Sequence, residues 1–266
     1  NNYALRANMS KDEFVTEVLD GIGEPPQYFS KNAKLNQSGY SELDKVLENG
    51  NNPLSASEFE SLATDSNILV LDVRTQKDFI ENHIPGALFI GLNGGFAPWV
   101  GALISNIKQG ILLVVSEGKS EEAITRLARV GYDHTLGYLE GGMQAWIAAG
   151  KTSDQLTSIS SIDFQQRTKK EVLSVLDVRK EGEYDTMHLK LDGLRHLSLG
   201  QINHRLDEID TQETYYIHCA GGYRSVIAAS ILKANGFHNV IDIAGGFAAI
   251  KQTDLSLTDS TCPSIL

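Results

Sequence analysis

Cys219 closes the apolar run Tyr215–Cys219 and is followed directly by Ala220-Gly221-Gly222-Tyr223-Arg224-Ser225. The run predicts a buried strand. Behind it, Val226, Ile227, Ala229, Ile231 and Leu232 predict a helix that Gly236 stops. A strand–loop–helix turn made of small residues leaves backbone N–H groups free to point inward, and the positive end of the helix dipole adds to them. That arrangement cradles an anion. A cysteine at its rim becomes a thiolate more readily than a free side chain does. Cys219 is therefore the candidate nucleophile. The candidate binding groups are the backbone N–H groups of Ala220, Gly221, Gly222, Tyr223, Arg224 and Ser225. Gly221 and Gly222 allow backbone angles that other residues resist. Arg224 can add a charge or order the loop. The bland alternative is an inert cysteine closing a strand; a Gly-Gly pair, an arginine and a helix start within six positions weigh against it.

The element that must hold this loop occurs twice. Leu71-Asp72-Val73-Arg74 returns as Leu176-Asp177-Val178-Arg179, at an offset of 105 positions. His83 and His188, Ser120 and Ser225, and Gly131-Tyr132 and Gly236-Phe237 keep the same offset, and Gly141-Gly142-Met143 returns as Gly245-Gly246-Phe247. Landmarks in one register point to a duplicated domain. Ile68–Val73, Ile111–Val115 and Val172–Val178 read as further buried strands, and a helix follows Ser120. Strands alternating with helices predict α/β domains with mainly parallel sheets flanked by helices. The polar stretch from Lys151 to Ser161 suits a linker, and the tail from Asp254 reads as loose.

The whole chain has 266 residues, 23 Lys plus Arg and 34 Asp plus Glu, a formal net charge of −11. Nucleic acid and anionic membranes both need a basic surface, so neither is expected as a partner. No apolar run approaches the roughly 18 residues of a spanning helix, and no secretory signal opens the chain. Two cysteines, Cys219 and Cys262, exclude a disulfide scaffold and make a reduced, cytoplasmic setting the default.

Taken together, Leu176-Asp177-Val178-Arg179, Tyr184, His188, His218-Cys219-Ala220-Gly221-Gly222-Tyr223-Arg224-Ser225 and Gly245-Gly246 resemble a rhodanese sulfurtransferase domain. Leu71-Asp72-Val73-Arg74, Phe79, His83-Ile84-Pro85-Gly86-Ala87 and Gly141-Gly142-Met143-Gln144-Ala145-Trp146 look like the same fold. The resemblance implies a sulfane sulfur carried as a Cys219 persulfide. Its donor would be thiosulfate or a low-molecular-weight persulfide, its acceptor a thiol, sulfite or cyanide. No cofactor is needed for that chemistry, and a homo-oligomer is compatible with it. Cysteine-dependent phosphatases of similar fold place five residues between Cys and Arg, whereas Ala220 to Tyr223 are four. A smaller loop suits one sulfur atom better than a phosphate. His218 keeps a phosphatase or arsenate-reductase-like enzyme open as an alternative, and a non-catalytic docking module is another. In the first copy the position of Cys219 is Val114, and Ser116-Glu117-Gly118-Lys119 offers no thiol and a misplaced negative charge. That copy reads as a catalytically inactive domain.

Residues 1–52 match neither copy. Lys11–Leu19 reads as a short helix capped by Ser10, and Glu24-Pro25-Pro26 as a break. Asn2-Tyr3-Ala4-Leu5-Arg6, Glu13-Phe14-Val15, Glu24-Pro25-Pro26-Gln27-Tyr28-Phe29 and Leu35-Asn36 resemble the end of a metallo-β-lactamase-fold domain, closest to persulfide dioxygenases that continue into rhodanese domains. This implies a longer parent fusion with a mononuclear iron. The His-x-His-x-Asp-His motif of that family does not occur here, so no metal ligand is assigned. The expected organisation is a remnant of that domain over 1–52, an inactive rhodanese-like domain over 53–152 and an active one over 153–266.

Asp72, Arg74, Asp177, Arg179, His83 and His188 are expected to be structural, because they recur in the copy without a thiol. The glycine pairs are expected to make tight turns. The basic stretch His188, Lys190, Arg195, His196, His204, Arg205 either steers an anion towards Cys219 or is a solvated face. Cys262 is more simply an idle tail cysteine than a resolving thiol.

Overall fold

The computed structural model describes residues 9–19 and 42–260. Ten strands form two sheets. The first contains β1 (Pro53–Leu54), β2 (Ile68–Asp72), β3 (Leu88–Phe89), β4 (Gly110–Val114) and β5 (Thr135–Leu139), in the order β1-β5-β4-β2-β3. The second contains β6 (Thr157–Ile159), β7 (Ser174–Asp177), β8 (Leu194–His196), β9 (Tyr215–His218) and β10 (Val240–Ile243), in the order β6-β10-β9-β7-β8. Both orders are the same permutation and every strand pairing is parallel. The repeat in sequence is thus a repeat of fold.

Parallel neighbours need crossovers, and helices supply most of them. In chain order these are α1 (Lys11–Leu19), α2 (Leu43–Gly50), α3 (Ala56–Ala63), α4 (Gln76–Glu81), α5 (Phe96–Leu103), α6 (Ser120–Ala128), α7 (Gly142–Ala148), α8 (Ser161–Thr168), α9 (Glu181–Thr186), α10 (Tyr223–Ala234) and α11 (Gly246–Ile250). Helices on both faces cover the central strands: every residue of β4 and β9 is buried. Helix starts follow their side chains. Ser55 with Glu58 and Thr75 with Asp78 close capping boxes on α3 and α4. Ser10 caps α1 as its sequence predicts, its hydroxyl accepting the Glu13 N–H at 3.2 Å. Among the described residues no helix is long and apolar enough to cross a membrane.

The two sheets share one packed interior through α10. Ser225 to Leu232 are all buried, which fits a helix apolar around most of its circumference. One side lies on β9 and β10 and another on β3 of the first sheet. Ser230 Oγ accepts the Phe89 N–H at 3.0 Å across that junction, and Lys233 pairs with Asp154 at 3.0 Å.

Three expectations differ from the structure. The strand predicted from Val172 begins at Ser174, because α8 ends in a turn that leaves Val172 exposed. The stretch 151–161, expected as a linker, contains β6. This is an edge strand that pairs only with β10, so its Ser and Thr side chains tolerate the rim. Before β6, Asp154 and His83 exchange backbone bonds of 2.8 and 2.9 Å and Leu156 N–H reaches Ile80 O at 3.0 Å. The tail from Asp254 is tied down rather than loose: Leu257 bridges Leu189, and His188 N–H donates to Thr258 Oγ1 at 2.9 Å. Within the segment expected as a remnant, α2 packs on β5 and α6 of the first domain and buries Val46 there. Residues 1–8 and 20–41, including Glu24-Pro25-Pro26, and Cys262 lie outside the described residues.

Candidate active site

Cys219 follows the last residue of β9, at the centre of the second sheet, and α10 starts four residues later. Its side chain is 1% exposed. The Gly222 N–H points at Sγ, with N to Sγ 3.1 Å, and Ser225 Oγ lies 3.7 Å from it. Gly222 reaches this position at φ 101°, a left-handed angle that side chains resist, so the glycine is required to turn the amide inward. The first-turn amides of α10 have no intrahelical acceptor, and the helix dipole adds positive potential at the same end.

The floor of the loop is made by the Gly245-Gly246 turn. Both glycines take positive φ, as the pair Gly141-Gly142 does in the first domain. The turn delivers the Phe247 N–H to Cys219 O at 2.6 Å and the Ala248 N–H to Ala220 O at 3.0 Å. The carbonyls of Cys219 and Ala220 are thereby drawn towards α11, while the Gly222 amide faces the sulfur.

The other predicted site residues divide. Ala220 is half-buried and Gly221 exposed at the rim. Ser225 is fully buried, and its Oγ lies 3.0 Å from Gly222 O and 2.7 Å from Asp242 Oδ1. The Tyr223 side chain leaves the loop: its hydroxyl donates to Gly91 O at 2.8 Å and its ring meets Phe89 edge-on. Burial raises its phenol pKa, so it stays protonated. The Arg224 fork does not face Sγ either. Nη1 and Nη2 bind both oxygens of Glu183 at 2.6 and 2.8 Å. Of the two roles the sequence leaves open to Arg224, adding a charge or ordering the loop, the donors bound to Glu183 fit the second, while its charge still acts on Cys219 through space.

Electrostatics around the loop is dominated by paired or neutral groups. Arg224 hydrogen bonding brings Glu183 down to about 2 against the opposing effect of burial. Asp177 and Arg179 form a buried bidentate pair that also reaches Met187 O, and Asp72 and Arg74 repeat it towards Asn82 O. His83 and His188 stack on Phe79 and Tyr184 and bond the carbonyls of those same residues. All six expected structural residues thus act as loop and helix ties. His218 is fully buried, and burial pushes its pKa down, so it is neutral. Its Nδ1 faces Cys219 O rather than Sγ. The basic stretch is not gathered at the thiol: Arg205 pairs with Glu208, Arg195 donates to Glu208 O, and His196 bonds Arg179 O.

The first domain offers no counterpart. The expected match of Cys219 with Val114 is corrected to Val115: Asp72 pairs with Val114 as Asp177 pairs with His218, because the first loop has one residue fewer before Ser120 than the second has before Ser225. Val115 is buried just after β4, and Lys119 beyond it pairs with Glu122. Its contribution is a wall. A cavity of about 380 Å³ opens beside the loop between Gly221, Gly222 and Asp242 on one side and Gln76, Lys77 and Glu81 of α4 on the other. Sequence reasoning missed Glu183, Asp242 and this wall. Asp242, a carboxyl between Ile241 and Ile243 in a predicted α/β core, was the signal available. Among the described residues no three His, Cys, Asp or Glu side chains converge as metal ligands, so they do not fit the iron implied for a parent fusion.

The rhodanese-like domain profile matches residues 55–149 and 161–253. YrkF of Bacillus subtilis (strain 168) is 33% identical over 99 residues, covering 37% of this chain and 52% of YrkF. YqhL of the same organism is 31% identical over 100 residues, covering 34% of this chain and 78% of YqhL. The thiosulfate sulfurtransferase GlpE of Coxiella burnetii (strain RSA 331 / Henzerling II) is 27% identical over 93 residues, covering 35% of this chain and 85% of GlpE. The chain thus spans about half the length of YrkF.

Proposed function

The chain belongs to the rhodanese-like domain family, with two such domains in tandem, and from that premise we propose that its second domain transfers sulfane sulfur through Cys219. The observation that carries this reading is the Gly222 N–H aimed at Sγ at 3.1 Å in a loop with four residues between Cys219 and Arg224. A ring of that size with inward amides suits one extra sulfur carrying negative charge.

The Cys219 thiolate attacks the outer sulfur of thiosulfate or of a low-molecular-weight persulfide. The donor S–S bond breaks, and sulfite or a thiolate leaves with the electron pair. Cys219 then carries a persulfide whose terminal sulfur is held by backbone N–H groups from Ala220 to Ser225. A thiol, sulfite or cyanide attacks that sulfur, and the Cys219 thiolate returns. Glu183 keeps Arg224 from closing over the sulfur while anchoring the loop to α9. The test is kinetic: donor and acceptor varied together should give the parallel lines of a ping-pong reaction, with sulfite released before acceptor is added. Intersecting lines with no early sulfite would contradict the scheme.

The likeness of the opening segment to the end of a persulfide dioxygenase supports a finer reading. In it, a metallo-β-lactamase-family domain precedes this pair in one cytoplasmic polypeptide. Immunodetection of the native protein with an antibody to this chain tests it: a species of this chain's own size alone would contradict it.

A further inference from the structure

Cys219 and Asp242 are the two ends of one hydrogen-bonded chain. Ser225 Oγ lies 3.7 Å from Cys219 Sγ and 2.7 Å from Asp242 Oδ1, and Ser158 donates to Asp242 Oδ2 at 2.9 Å. Asp242 is 2% exposed and Ser225 is fully buried. The reaction above gives Asp242 no role, yet a carboxyl among buried apolar strand residues is costly unless something uses it. In the register of the glycine pairs, the first repeat has Tyr138 in its place. The copy without the thiol also lacks the carboxyl.

Ser225 Oγ also lies 3.0 Å from Gly222 O, and the charge of Arg224 acts on Cys219. Asp242 meets Ser158 of β6 and Ser225 of α10, and Lys77 and Glu81 of α4 stand across the cavity. Beside Cys219, Arg224 is held by Glu183, Arg179 by Asp177, and His218 is neutral. Burial raises the pKa of Asp242 against the lowering effect of its two hydroxyl partners.

We propose that Asp242 is a positioning residue that shares a single negative charge with Cys219 through Ser225. The inference rests on the reading of Cys219 as the nucleophile. In one state the thiol S–H donates to Ser225 Oγ and the Ser225 O–H donates to the Asp242 carboxylate. Moving each proton one step along the chain breaks one S–H and one O–H bond and forms two O–H bonds. The charge passes from Oδ1 to Sγ, with no change in the total. The thiolate is then met by the Gly222 N–H and by the Ser225 O–H, which Asp242, now protonated, turns towards it. The buried carboxylate has two neutral hydroxyl donors, whereas the thiolate gains the Gly222 N–H and the Ser225 O–H. The proton stays on Asp242 while the sulfur carries the persulfide, and returns if the thiol re-forms.

The test is the pH dependence of alkylation at Cys219 in the full chain without any sulfur donor, followed by peptide mass. A shared charge gives two steps separated by more than about one pH unit, because the pair loses its protons as a unit. Asp242→Asn, of the same shape, is expected to reduce the profile to one step. Ser225→Ala, which removes the bridge, is expected to do the same and serves if the first variant does not fold. A single step in the unmodified chain overturns the proposal wherever its midpoint lies, as do two steps surviving in Asp242→Asn. Because no donor is present, failure of sulfur transfer would leave this result standing, and failure here would leave sulfur transfer standing.

Discussion

Arg224 lies five residues beyond Cys219, yet its guanidinium faces Glu183 on α9, with nitrogen–oxygen distances of 2.6 and 2.8 Å. The loop is therefore pinned from behind by an ion pair, while the Gly222 N–H is the backbone donor aimed at Cys219 Sγ.

That pair makes stability depend on acid. Glu183 is held at about 2, below its ordinary 4.5, chiefly by hydrogen bonds from Arg224. A carboxylate with a depressed folded-state pKa contributes fully above 4.5 and loses its contribution as pH falls through that range towards 2. The Glu183 side chain is 36% exposed, so screening limits the effect to about 1 kcal/mol. Glu183→Gln should lower the melting temperature at neutral pH and narrow the gap to the unmodified chain below pH 4.5. Urea titrations across pH check it, and a gap that widens in acid would be wrong for this pair.

Gly222→Ala tests the inward amide. At φ 101° a β-carbon costs about 1–2 kcal/mol, and the nearest atom to it would be Gly245 N at an ordinary 3.6 Å. The strain is therefore conformational, and relieving it swings the N–H off the sulfur. Sulfur loading should fall by far more than the melting temperature suggests. Loading measured beside a thermal melt decides it, and full loading at a lowered melting temperature would refute the role given to the amide.

Ser230→Ala tests the junction between the domains. It removes the acceptor of the buried Phe89 N–H, and an orphaned buried donor costs about 1–3 kcal/mol. Denaturant unfolding should show that loss. A change within error would mean that this bond does not couple the sheets.

Val115→Cys restores a thiol at the matching place in the first domain, since Val73 N–H bonds Val114 O as Val178 N–H bonds His218 O. Val115 is buried, and Ser116-Glu117-Gly118-Lys119 stands in place of the glycine loop. The double-cysteine protein should still gain sulfur at residue 219 alone, as peptide mapping will show. Persulfide at residue 115 would contradict the assignment of this domain to a wall.

The duplicated Asp-x-Arg, His and Gly-Gly landmarks made the two matching sheets legible, because each marks a strand end or turn that the fold repeats. The Cys219 loop was legible for the same local reason: a strand, two glycines and a helix start lie within a few residues. The partners of that loop were not. Arg224 meets Glu183 across 41 positions, Tyr223 meets Gly91 across 132, and Ser225 meets Asp242 across 17. Such pairings are set by packing of helices on sheets, which spacing along one chain does not encode. β6 escaped notice because an edge strand needs backbone partners on one side only and can be rich in Ser and Thr.

The most direct test of the central claim is the intact mass of the chain after incubation with excess thiosulfate. The account requires a gain of one sulfur atom, mapped to Cys219, removed by cyanide and absent in Cys219→Ser. An unchanged mass under saturating donor, or sulfur found at another residue, would contradict it.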